Sequence, residues 1–133
     1  MTTEKGAAMN SLFKFLLCVS IIASLTATTC IATSIAQDFV ATNPTDVKVL
    51  IDNDRVRVLE VLHKPGAKEP THSHPAYVAV FLSGTRLKQT FPDGKTVEKD
   101  RKAGEAFFSE PVTHAVENIG TADQHVIVIE LKK

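Results

Sequence analysis

The sequence predicts an all-β fold, a small sandwich, barrel or jelly roll, preceded by an N-terminal signal segment. Three observations predict it. Beyond residue 36 the apolar residues fall in short runs, several alternating with polar ones, which is the period of a strand with one buried face. Turn residues interrupt those runs at intervals of about 8–12 residues, as in sandwiches and barrels. No stretch after Ala36 carries the 3.6-residue period of an amphipathic helix, and no internal repeat divides the chain. At 133 residues the chain has the length of one domain. Closing so small a set of strands into a barrel would remove most of the exposed edges.

Residues 1–36 stand apart from the rest. Residues 12–36 hold one charge, Lys14, and Lys5 adds to a weakly basic start. Phe15-Leu16-Leu17-Cys18-Val19-Ser20-Ile21-Ile22-Ala23 begins an apolar stretch that grades into small polar residues and ends Ser34-Ile35-Ala36-Gln37-Asp38. Small residues at 34 and 36 suit a signal peptidase, so cleavage is expected after Ala36, giving a periplasmic or secreted protein with no membrane contact of its own. Met9 is an alternative start, because Met9-Asn10-Ser11-Leu12-Phe13-Lys14 makes a conventional basic leader. The competing reading is a retained anchor, since residues 15–36 are uncharged and about 20 apolar residues span a bilayer. The Ser and Thr content of its second half argues against that. Both cysteines, Cys18 and Cys30, lie in this segment. The cleaved chain therefore has no thiol for a disulfide, a nucleophile or a metal, as suits an exported protein without redox chemistry. Ala27-Thr28-Thr29 before Cys30 is a poor match to a lipoprotein signal.

Residues 37–46 read as an extended lead-in and residues 47–133 as the barrel. Val47-Lys48-Val49-Leu50-Ile51 is a strand stopped by Asp52-Asn53-Asp54. Val56-Arg57-Val58-Leu59-Glu60-Val61-Leu62-His63 follows and stops at Pro65-Gly66. Tyr77-Val78-Ala79-Val80-Phe81-Leu82 stops at Ser83-Gly84. Arg86-Leu87-Lys88-Gln89-Thr90-Phe91 alternates and runs into Pro92-Asp93-Gly94-Lys95, a strong hairpin signal from which residues 96–102 return. Ala106-Phe107-Phe108 is short. His114-Ala115-Val116-Glu117-Asn118 ends at Ile119-Gly120, and residues 125–131 close the chain. That makes about eight short strands.

Composition narrows the function classes. Lys+Arg and Asp+Glu are 15 each, for a net charge of zero. Removing residues 1–36 takes away only Lys5, Lys14 and Glu4 and leaves the rest near neutral. A phosphate-tracking nucleic-acid binder needs a basic surplus that is absent here. Apolar residues at 44% and charged residues at 23% are those of a folded chain. No glycine-rich phosphate loop, Ser/His/Asp triad or paired carboxylates can be argued for, so no nucleotide cofactor is expected.

All five histidines lie beyond residue 36. In His72-Ser73-His74, residues two apart on an extended segment face the same way, about 7 Å apart along the backbone, and can converge on one metal. Pro65, Pro70 and Pro75 stiffen the segment.

Gly66-Ala67-Lys68-Glu69-Pro70-Thr71-His72-Ser73-His74, a strand and then Gly84 resemble the first motif of the cupin superfamily. The stretch from Gly104 through Pro111, His114 and Asn118 resembles the second, with His114 and Asn118 at the motif spacing. The resemblance covers nearly all of the chain after the signal segment. It implies a small single-domain cupin-like β-barrel in which His72, His74 and His114 hold a divalent metal. The carboxylate of the first motif would fall at Tyr77, Val78 or Ala79, none of which is acidic. What carries over is therefore a three-His site, at its full +2 charge and with a preference for anionic ligands. Neutral imidazoles suit Fe, Zn, Ni and Cu, and Mn is a further candidate. Three of them with an open position can lower the pKa of bound water toward about 7. Binding should weaken below about pH 6.5, where an unperturbed imidazole takes a proton instead.

Gln89 shares a strand face with Leu87 and Phe91 and is a candidate fourth ligand or substrate contact, or else a rim glutamine. Tyr77, beside the position of the missing carboxylate, could donate its phenol to a metal-bound ligand or simply pack. Glu110, four residues before His114, is a candidate acceptor orienting that imidazole. His63 reads as a solvated edge residue, His125 as structural, and Asn118 as structural by the resemblance.

The functional expectation is an exported cupin-domain protein that binds a divalent metal and acts on or holds a small molecule in its barrel. The alternative is a non-enzymatic ligand-binding or structural cupin without metal. Metal content separates the two. A homodimer is expected, because residues 77–82 and 126–129 are apolar on both strand parities, whereas a strand with one solvated face should alternate.

Overall fold

Nine strands and one turn of helix make up residues 37–133, the part that this computed structural model describes; the expected signal segment, with Cys18 and Cys30, lies outside the described residues. In chain order the elements are α1 (Phe39–Thr42), β1 (Val47–Asp52), β2 (Val56–His63), β3 (Lys68–His74), β4 (Tyr77–Phe81), β5 (Thr85–Thr90), β6 (Thr96–Arg101), β7 (Ala106–Ser109), β8 (Val112–Asn118) and β9 (Gln124–Leu131). All but α1 and β3 match the runs read from the sequence to within about two residues at either end, the usual uncertainty of element boundaries.

The strands form two antiparallel sheets, one ordered β1-β2-β9-β4-β7 and the other β3-β8-β5-β6. The alternation in β2, β4 and β9 sends Leu59 and Val61, Ala79 and Phe81, and Val126 and Val128 into a core shared with Leu87 and Val116 of the other sheet. Burying each of the Leu, Val and Phe side chains among these is worth about 1.5–3 kcal/mol. The Asp93-Gly94 turn joins β5 to β6; Gly94 takes φ +81°, open at little cost only to glycine. Asn118 is wholly buried and ties the loops together, donating to the carbonyls of His63 and Ala122 and accepting from Thr85 Oγ1.

Residues 37–46 are not the extended lead-in expected. Phe39–Thr42 form a helical turn, because Asp38 accepts hydrogen bonds from the backbone N–H groups of Val40 and Ala41 and so satisfies two donors left open at a helix start. Asn43 closes the turn with a hydrogen bond to the carbonyl of Phe39. Four residues are too few for helical periodicity to register in the sequence. The segment is docked: the amide of Ser73 donates to the carbonyl of Gln37, and Phe39 is buried.

Strand β3 has no aliphatic residue, and its inward positions are taken by Glu69, His72 and His74. It pairs with β8 so that Glu69 lies opposite Val116 and His72 opposite His114. Three steps along β3 thus match two along β8, which makes a β-bulge at Pro70 and Thr71. Proline has no N–H for the ladder, which explains why the bulge falls there. The extra residue reverses strand parity, and Glu69 turns inward together with His72.

Candidate metal centre

His72, His74 and His114 converge, with ligand atoms all within 4.8 Å of one another and all three residues buried. Strand parity brings His72 and His74 together, and the β3–β8 register sets His114 directly opposite His72. Nε2 of His72 lies 3.0 Å from Nε2 of His74, the separation of two adjacent ligands each about 2.1 Å from one ion. His72 Nδ1 is 2.8 Å from the carbonyl of Pro70 and His74 Nδ1 is 2.7 Å from Glu130 Oε1. Both acceptors call for a proton on Nδ1, which leaves the Nε2 lone pairs free to converge. The imidazole of His72 packs against Phe39 at a tilt of 32°, ring centroids 4.3 Å apart, and that of His74 lies 4.6 Å from it, so α1 closes one side of the cluster. Burial, reinforced by repulsion from His72 and His74, pushes the His114 imidazole down to about 3. Burial also lowers His72, against the pull of the Glu69 charge. These side chains are thus held neutral, the form that binds a metal.

The centre does not lack carboxylates. Glu69 is 5% exposed, with Oε1 2.9 Å from His63 Nδ1 and Oε2 3.4 Å from His72 Nε2. A bare three-imidazole site at full +2 charge is therefore the wrong expectation, and so is a solvated His63: it is 1% exposed. Burial pulls the His63 imidazole down, but the bond and charge of Glu69, with Asp46 3.6 Å away, outweigh it and raise it. Of the positions where the motif carboxylate would fall, Tyr77 and Ala79 face inward and Val78 lies on the outer face.

A second carboxylate, Glu130, joins the centre to the lead-in. It accepts from His74 and from Arg57 Nε at 2.6 Å, and Arg57 Nη2 is 2.6 Å from Asp38. Burial works to raise Glu130, but the His74 and Arg57 hydrogen bonds hold it below the usual carboxylate range. Asp38, the helix cap, is held low by Arg57 and by its own backbone hydrogen bonds despite partial burial.

The remaining candidates divide. Gln89 is half-buried and its carboxamide nitrogen is 3.4 Å from Nδ1 of His114. Tyr77 is buried, its ring 4.9 Å from that of His74. Glu110 is exposed, and among the described residues no hydrogen bond joins its carboxylate to His114; the group facing that imidazole is Gln89. His125 is half-buried on the outer face, where it meets Glu60 at 2.9 Å.

Beside the imidazoles is a pocket of about 50 Å³, lined by His74, His114, Tyr77, Glu69, Gln89 and Gln124 and otherwise apolar. It holds a few waters at most. An outer pocket of about 200 Å³ shares Tyr77, Gln89, Phe107 and His114 with it and opens to solvent.

No family model and no curated protein matches the sequence. Solved structures do. A cupin domain from Bordetella pertussis Tohama I is 31% identical, with a TM-score of 0.61 over 65% of this chain and 92% of that one. An RmlC-like cupin family protein with a double-stranded β-helix fold from Methanocaldococcus jannaschii is 16% identical, with a TM-score of 0.54 over 65% and 78%. A cupin superfamily protein from Desulfitobacterium hafniense DCB-2 is 17% identical, with a TM-score of 0.52 over 65% and 76%. The latter two bear on the fold alone.

Proposed function

The chain belongs to the cupin superfamily, and on that premise we propose that it is an exported metal-binding cupin that holds or transforms a small anionic organic molecule at the mouth of its barrel. The observation that carries this is the convergence of three buried imidazoles within 4.8 Å. Their donor set suits Fe, Zn, Ni or Cu, with Mn a further candidate, and the Glu69 carboxylate lies 3.4 Å from His72 Nε2 beside it. A bound divalent ion would supply Lewis acidity, polarising an oxygen of a ligand or of water. The protein's own part is to hold the imidazoles in one tautomer through Pro70 and Glu130, to keep bulk water off one side with Phe39, and to offer Gln89 and Tyr77 as polar contacts beside the open side.

Metal analysis of protein from its native host, followed by titration with Zn and Fe(II), tests the reading. His72→Ala, His74→Ala and His114→Ala should each lose the metal, since two imidazoles hold a divalent ion poorly, and His125→Ala should bind as wild type. Wild-type protein that takes neither metal at neutral pH would leave a metal-free ligand-binding barrel. Export rests on the pattern of residues 14–36, and intact-mass measurement should find a mature N-terminus at Gln37. A full-length species confined to the cytoplasm would remove export from the proposal.

A further inference from the structure

The outer pocket carries charge of one sign. In β6 the register with β5 sets Lys99 opposite Leu87 and Arg101 opposite Thr85, both buried positions, so Lys99 and Arg101 lie on the inward face. The acidic residues of the strand, Glu98 and Asp100, lie on the other face, where Arg86 meets them at 3.0 and 3.8 Å. No Asp or Glu lines the outer pocket. Arg101 is already engaged: Glu105 pairs with its guanidinium, which stacks on Phe107 at 4.3 Å. Lys99 has no ion-pair partner among the described residues, and its side chain borders the same pocket as His114. The other walls include the rings of Phe91 and Phe107, and the carboxamide of Gln89 stands between Lys99 and the imidazoles.

We propose that this pocket is the ligand-recognition site of the protein and takes a small monocarboxylate with a flat apolar body, its carboxylate drawn to Lys99 and its body laid against the phenylalanine rings. One free cation matches one negative charge. A phosphate dianion would need a second free cation, which Arg101 does not supply while paired with Glu105. The volume of about 200 Å³ is below that of pockets for drug-sized ligands and suits a single-ring acid. The assignment rests on the proposed function in that the ligand would meet the metal through the His114 side of the pocket.

Benzoate and its uncharged isostere benzamide are the probes, titrated calorimetrically into zinc-loaded and metal-free protein. Wild type should bind benzoate about fivefold more tightly than benzamide in both forms, the range of a solvent-exposed charge pair. Lys99→Gln should remove that preference and Lys99→Glu should reverse it, while both variants bind zinc as wild type, since Lys99 touches no imidazole. Equal binding of the two probes, no binding of benzoate, a preference that survives Lys99→Glu, or displacement of benzoate by equimolar inorganic phosphate would each overturn the assignment. Failure of wild type to bind zinc would instead overturn the metal reading, and the comparison in metal-free protein would still decide the pocket.

Discussion

Oε2 of Glu69 lies 3.4 Å from Nε2 of His72, although the two residues are three apart on one strand and regular pleating would send them to opposite faces. The bulge at Pro70 and Thr71 turns both inward. A buried carboxylate beside the centre offsets part of the ion's charge, directly or through the imidazole, and it is itself steadied by His63 at 2.9 Å. Glu69→Gln should weaken zinc binding by about 10–100-fold, the usual loss when a partner of a metal ligand is removed. His63→Ala should weaken it less, by freeing Glu69 to rotate. Competition against a chelator of known affinity measures both, and unchanged affinity in Glu69→Gln would remove Glu69 from the centre.

Glu130 fixes the tautomer of His74, and Arg57 holds Glu130. Glu130→Gln keeps the shape but weakens that hold, so metal affinity should fall by about 10-fold or more. Arg57→Met acts differently. It leaves a carboxylate that is 1% exposed with only His74 as partner, and the protein should lose roughly 3 kcal/mol of stability, as when one member of a buried ion pair is removed. Denaturant unfolding of the metal-free variants separates the two effects.

Much of this centre is legible in the sequence, for physical reasons that differ by residue. His72 and His74 share a face by parity alone, and His114 follows from the motif spacing. Glu69 does not, because an inserted residue inverts parity and nothing local but Pro70 marks it. His63 does carry a signal: Leu59, Val61 and His63 continue one inward alternation, and only its place at the strand end, beside Lys64-Pro65, reads as solvated. Arg57 and Glu130 are long-range partners, 73 residues apart, whose meeting depends on the β2–β9 register. The helical turn has one local signal, Asp38 ahead of Phe-Val-Ala, too brief to outweigh an extended reading.

The outer face of the five-stranded sheet carries an apolar row across all its strands: Ile51, Val58, Ile129, Val78 and Phe108 lie in successive register. Ile51 and Phe108 are 50% and 56% exposed, so the ends of the row are open to solvent. A second copy of the chain, laid sheet to sheet, is the expected occupant, since single-domain monomers rarely leave so continuous an apolar strip uncovered. Light scattering at micromolar concentration should find a dimer, and Val78→Lys should yield a folded monomer. A wild-type monomer at that concentration would remove the dimer.

Acid should destabilise the metal-free protein. His114 is held down to about 3 by burial and by its two neighbouring imidazoles. In the unfolded chain it titrates near 6.5. Between those values the unfolded state binds a proton that the folded state refuses, so stability rises with pH. The contribution is therefore fully present above about pH 6.5 and is lost as pH falls toward about 3; at about 1.4 kcal/mol per unit it is of the order of several kcal/mol. His72 acts in the same direction, as do Glu130 and Asp38 below about pH 4.5, their unfolded range. His63 opposes them: its raised value adds stability below about 6.5 that is lost as pH rises through the folded value. Denaturant midpoints of metal-free protein should fall between neutral pH and about pH 3.5. His114→Asn should flatten that fall, and His63→Gln should remove the loss on the alkaline side. The same resistance to protonation bears on the sequence expectation that binding weakens below about pH 6.5: the lowered His72 and His114 should not be the imidazoles whose protonation sets that weakening. A midpoint that rises on acidification would contradict the burial that lowers His114 and His72.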